Sequence, residues 1–266
     1  SIILLTQRSI ILSASAAGND WFYFSIFLVN AILATGFVYF HFWLLPLQII
    51  VETYNIVALS YMWMTPEHPD PNSEQLSFLA ALIKSFEKEH GPSAFFIDYA
   101  SLYQRPRTKA EEASFKRGLK KLVNLFYGSE KTHVWMNTVP PKSCDRKYNV
   151  SGWCFTEKTI SSVITPSDKL LDLGRIFDPE TNLPDASKVD LSEWSTVIKA
   201  CALGKREAPM PPADFNYQIA PDNGRHFTSG ADVEVVTLIF DRCYRLCIVH
   251  AKFLEFPQQR REREKR

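Results

Sequence analysis

Short, unbroken apolar runs alternate with longer stretches of helical period through the middle of this chain. Asn55 to Met62 (NIVALSYM) has the continuous apolar character of a buried strand. Asn72 or Ser73 then starts a helix that gathers Leu76, Leu79, Ala80, Ile83 and Phe86 on one side. Ala94 to Asp98 (AFFID) predicts a second strand, closed by an acid. Thr108 and Glu111 have capping-box spacing, and Phe115, Leu119, Leu122, Val123 and Phe126 follow at helical period before Gly128. Thr132 to Met136 (THVWM) predicts a third strand and Lys169 to Leu173 (KLLDL) a fourth. Between these two, Ser151 can N-cap a helix whose apolar stripe runs through Trp153, Ile160, Val163 and Ile164. Alternation of this kind implies an α/β fold, a mostly parallel sheet with helices on both faces. The stretch from Arg175 to Pro221 is looser, with Pro184, Pro209, Pro211 and Pro212 around one helix near Leu191 to Leu203. A last helix, from about Ala231 to Val249, turns Val233, Val236, Phe240, Cys243, Tyr244 and Cys247 inward.

The N-terminal pattern differs. From Trp21 to Val51 there is no Asp, Glu, Lys or Arg, a longer run than the roughly 20 residues a bilayer span needs. Aromatic residues cluster at both ends of the run, and Pro46 can end it. Residues 1–51 are therefore expected to be a hydrophobic segment with a membrane helix at about 21–46, a buried helix being the alternative. Residues 52–256 form the α/β domain, and 257–266 a charged, frayed tail.

Composition narrows the function classes. The 266 residues carry a net charge of +1, and acids interrupt the basic tail, so no nucleic-acid footprint is expected. The 5 cysteines are scattered without a CxxC pair, which fits a reducing compartment. The domain is thus expected inside the cell, membrane-anchored, or cytoplasmic if the N-terminal run is not a span. No metal site is read from the chain: Cys243 and Cys247 stand four apart but no His or carboxylate joins them.

One residue breaks the pattern. Glu157 falls inside the apolar stripe of the Ser151 helix, four residues after Trp153. Burial there raises a carboxyl pKa unless a cation or several donors compensate. In an open α/β sheet the ligand crevice lies beyond the carboxyl ends of the strands, where strand order reverses. Tyr61 and Trp63 follow the first strand, Asp98 closes the second, and Glu157 opens the helix after the third. In a flavodoxin-like order, 2-1-3-4, Glu157 faces the loop carrying Tyr61 and Trp63. No Walker lysine loop, GxGxxG, HExxH or GxSxG is present. Cys154 reads as a structural thiol, with neither His133 nor His226 in a sequence relation to it.

These segments carry a resemblance. Leu59-Ser60-Tyr61-Met62-Trp63 resembles the LSYxWG opening of fungal heterokaryon-incompatibility (HET) domains, with Met64 at the glycine position. Ile97-Asp98-Tyr99-Ala100-Ser101-Leu102-Tyr103-Gln104 is similar to their IDxxCIxQ element, Ser101 standing for the cysteine. Gly152-Trp153-Cys154-Phe155-Thr156-Glu157 resembles both their GWTLQE segment and the WCxxE motif of plant Toll/interleukin-1 receptor (TIR) domains. The resemblance covers roughly Asn55 to Leu173. It implies a flavodoxin-like, TIR-type fold and a signalling role in innate immunity, self-recognition or cell death. It also implies either hydrolysis of NAD at the nicotinamide–ribose bond or a non-catalytic, homotypic interaction module. On the enzymatic reading Glu157 is catalytic, and Ser60, Tyr61, Trp63, Asp98, Gln104 and Trp153 bind the substrate. NAD is then substrate and no cofactor is needed. Self-association completes such sites, and a membrane anchor would favour it.

Overall fold

The computed structural model describes residues 3–4, 53–204 and 208–263. Its sheet is parallel throughout: β1 (Ile3–Leu4), β2 (Asn55–Tyr61), β3 (Ser93–Phe96), β4 (His133–Asn137) and β5 (Leu170–Asp172), in the order β1-β3-β2-β4-β5. The strands from β2 onward thus stand in the expected 2-1-3-4 order, with β1 added outside β3. Every β4 residue, and every β2 residue after Asn55, is buried, because helices cover both faces. Register aligns Leu59 of β2 with Trp135 of β4, and Tyr61 with Asn137.

Strand alternation divides the core in two. Ile56, Ala58, Val134 and Met136 point to one face, where α3 (Lys109–Tyr127), α4 (Gly152–Ile164), α6 (Pro212–Ile219) and α7 (Asp232–Arg263) pack. Val57, Leu59, Phe95 and Trp135 point to the other, under α1 (Glu74–His90) and α5 (Trp194–Cys201). A single turn, α2 (Asp98–Ser101), follows β3 directly.

Several expectations need correction. Neither Asn72 nor Ser73 caps α1. Ser73 adopts a left-handed conformation without a capping bond, and the Asp70 carboxylate instead accepts from the backbone N–H of Glu74 (2.8 Å) and Gln75 (2.9 Å). A carboxylate at a helix N-terminus also meets the positive end of the macrodipole. The proline-rich stretch was expected to be loose, yet it holds α6. Pro212 occupies its first turn, where a missing N–H costs nothing. Phe215 of α6 stacks on Phe240 at 4.0 Å. Helix α7 runs on to Arg263.

Other readings hold. Thr108 and Glu111 form the capping box of α3, and the Ser151 side chain accepts from the Cys154 N–H at the start of α4. Gly152 there lets the Phe227 ring pack against the helix start, where a Cβ would force the ring to move. The predicted span at about 21–46 lies outside the described residues. Among those described, no helix is long and apolar enough to cross a membrane.

Candidate functional site

Glu157 projects from the first half of α4 toward the carboxyl end of β2 and is only 7 % exposed. The fully buried Ser60 hydroxyl beside it pulls its pKa down, and Ser60 Oγ lies 2.7 Å from the Tyr148 hydroxyl. Cys154, one helical turn before Glu157, directs its thiol at the Tyr61 carbonyl (3.4 Å), and the Tyr127 hydroxyl donates to the Leu59 carbonyl (2.7 Å). Hydroxyls, a thiol and a carboxyl therefore replace apolar packing where α4 crosses the end of β2.

Asp98 borders this group from the end of β3. Its Oδ2 accepts from Trp63 Nε1 (3.0 Å) and its Oδ1 from the Tyr99 N–H (2.7 Å), and the nearby Tyr61 hydroxyl pulls its pKa down as well. Trp63 meets Tyr99 edge-on at 5.4 Å, and Tyr99 lies 4.7 Å from the His68 ring. Behind them the loop is braced by Gln75, whose Nε2 donates to the carbonyls of Met62 and Pro69 and whose Oε1 accepts from Asn137.

No described ion pair reaches either carboxyl group. Burial drives the Glu157 carboxyl well above the usual range, and the nearby Asp98 charge adds to the rise; the Ser60 hydroxyl opposes both. Burial likewise lifts Asp98 to about 6, against the pull of the Tyr99 N–H, Trp63 and Tyr61. Burial also pushes up the Tyr61, Tyr127 and Tyr148 phenols and the Cys154 thiol. Burial thus favours the protonated form of Glu157 more strongly than that of Asp98, so the first negative charge of the cluster falls on Asp98. A protonated Cys154 is no nucleophile. A carboxyl poised to lose a proton when a cation arrives is what the arrangement offers chemically.

Of the residues marked in the sequence, Ser60, Tyr61, Trp63, Asp98 and Glu157 converge. Gln104 and Trp153 do not. The Gln104 amide donates to the Tyr99 and Leu102 carbonyls, each at 3.0 Å, and closes the turn after α2. Trp153 leans the other way, its indole donating to Asp232 of α7 (3.2 Å) with Phe227 edge-on at 6.4 Å. The 40° that separates i from i+4 on a helix is enough to send these two neighbours into different environments. Tyr127 and Tyr148 went unmarked. Tyr127 ends the apolar face of α3, a visible clue, whereas Tyr148 sits in a lone 3-10 turn without pattern. No protein-family model, curated protein or solved structure matches the chain.

Proposed function

We propose that this chain is a TIR/HET-like signalling domain and that its Glu157 centre hydrolyses NAD at the nicotinamide–ribose bond. The observation that carries this reading is the convergence of the three motif-bearing segments on a carboxyl group with no cationic partner among the described residues, at the carboxyl ends of the central strands. The pyridinium of NAD supplies that missing cation. Its approach lowers the Glu157 pKa and frees the carboxylate. The C1′–N1 bond then breaks, nicotinamide leaves with the electron pair, and the carboxylate steadies the ribosyl oxocarbenium ion. Water adds at C1′ and loses a proton, giving ADP-ribose. The half-buried Trp63 offers a ring at the rim for stacking, and Tyr61 a second one once the cluster opens. The domain works by self-association, which an N-terminal membrane tether inside the cell would promote. Turnover of NAD by the concentrated full chain, lost in Glu157→Gln, is the test. Equal turnover in the variant sinks the catalytic assignment.

A second reading, a non-catalytic homotypic adaptor, is favoured by one observation. Ser60, Tyr61 and Glu157 are all at or below 7 % exposure, so any ligand must first open the cluster. On that reading the chain assembles with rising concentration and consumes no NAD. The two readings part on turnover measured within assemblies.

A further inference from the structure

A cleft of about 180 Å³ lies along the flank of α4 that carries Phe155, Lys158 and Ser162 rather than Glu157, with Tyr148, Met210 and Arg225 as its other main walls. Arg225 is held there in a fixed plane. Its guanidinium carbon stands 3.7 Å from the centre of the Phe155 ring, and its Nη1 donates to both the backbone carbonyl and the Oε1 of Gln218, each at 2.7 Å. The opposite edge is free: Nε is buried without a hydrogen-bond partner, and Nη2 has none among the described residues. Nε and Nη2 together form the side-on fork that matches two oxygens of an oxyanion. A buried donor without an acceptor carries a desolvation cost, which a ligand oxygen would remove.

The charge around the fork points the same way. Lys158 is exposed on the cleft wall, and among the described residues no Asp or Glu lines it. Two cations facing no carboxylate suit a dianion better than a single carboxylate. Thr159 and Ser162 spend their hydroxyl protons on the Phe155 and Thr159 carbonyls (2.7 Å each), so their oxygens face the cleft as acceptors, suited to sugar hydroxyls. A cleft of this volume suits a small occupant, on the scale of a pentose phosphate. We propose that this cleft binds a small phosphomonoester of sugar-phosphate size, with Arg225 and Lys158 clasping the phosphate. Tyr148 lines the cleft and bonds Ser60, so an occupant touches a residue that leads to Glu157. The binding itself does not rest on NAD hydrolysis.

Calorimetric titration of the full chain at about 0.15 M salt tests this, with ribose 5-phosphate, ribose and inorganic phosphate as separate probes. Saturable one-to-one binding of ribose 5-phosphate is expected, at least about 10-fold tighter than either fragment. Arg225→Lys keeps a charge but loses the fork and should weaken it about 10-fold or more, as should Lys158→Ala at an exposed position that cannot unfold the chain. Glu157→Gln should bind as the native chain does, even if NAD turnover is absent. Lack of saturable binding by the native chain overturns the proposal. Unchanged affinity in both cation variants also overturns it, and equal affinity for inorganic phosphate overturns the sugar-phosphate assignment.

Discussion

Two buried titratable groups, one on each face of the same sheet, are both pushed toward their neutral forms by burial, yet their surroundings have little in common. His133, at the start of β4, lies among rings: Phe86 at 5.0 Å, His90 at 5.7 Å, with Trp135 and Trp194 stacked at 5.5 Å just beyond. Its Nδ1 has no hydrogen-bond partner. Glu157 lies among hydroxyls and a second carboxyl group. An aromatic box can only exclude charge. A hydroxyl-lined pocket can reorganise to accept it, since Ser60 and the tyrosines can turn donors toward a new anion. The first region therefore stabilises the fold, and the second is fitted to change state.

The sharpest way to break this contrast is to remove a ring from the box. Trp135 is fully buried and touches Phe86 and Phe95 edge-on at 5.5 and 5.6 Å. Trp135→Ala should cost about 3–5 kcal/mol in denaturant unfolding. Glu157→Gln, of equal shape and always neutral, should leave stability at pH 5 nearly unchanged. A large loss in both would mean that the Glu157 cluster is ordinary core after all. The same Glu157→Gln protein should show a drop in NAD turnover of about 100-fold or more, the scale of a lost catalytic carboxyl group.

Asp98 sharpens the comparison from the acid side. Its pKa rises from 3.8 unfolded to about 6 folded, so the native state binds the extra proton and stability falls as pH climbs from about 4 through 6. A shift of that size corresponds to about 3 kcal/mol at pH 7. Asp98→Asn removes the charge but weakens one of the hydrogen bonds from Trp63 or Tyr99, so a net gain on the order of 1–2 kcal/mol is expected at pH 7. The slope between pH 4 and 6 should flatten with it. Melting temperatures across that range decide the matter, and an unaltered slope would show that Asp98 is better solvated than its burial implies.

Sequence made one half of this contrast legible. Glu157 stood out because a carboxyl group inside an apolar stripe violates helical patterning, and the parallel α/β sheet followed from the alternation of runs, its order being that of a flavodoxin-like fold. Asp98 and Trp63 could be placed near it from topology alone. What escaped was anything set by angles finer than the period. Trp153 and Glu157 share a face to within 40°, but α7 draws the indole away through Asp232. Asp70 caps α1 from outside the usual N-cap position because the Pro69-Asp70-Pro71 turn brings its carboxylate round. Tyr148 reaches Ser60 from a segment with no periodicity. The aromatic box was equally unreadable, since Phe86, His133 and Trp194 come from three distant elements.

His133 allows the smallest and cleanest test, because its pH dependence has the opposite sign. Burial first, and then the charges of Lys169 and His90, lower its pKa from 6.5 to about 4, with Asp168 opposing. The folded state thus binds less proton than the unfolded chain between those values, and stability is lost as pH falls from about 6.5 toward 4. At pH 5 the loss is on the order of 1–2 kcal/mol. His133→Phe keeps a ring against Phe86 and eliminates the unpartnered nitrogen, so it should recover that amount at pH 5 and change little at pH 8, where both states are neutral. Combined with Asp98→Asn, the two effects should add, since the residues lie at opposite ends of their strands and share no described partner. A protein carrying both changes would then keep two opposed slopes: a loss of stability at the acid end from the depressed carboxyls of Glu112, Asp178, Asp185 and Asp190, and a fall with rising pH from Glu157. The second slope reports the proton on Glu157 and measures how firmly the closed cluster holds it.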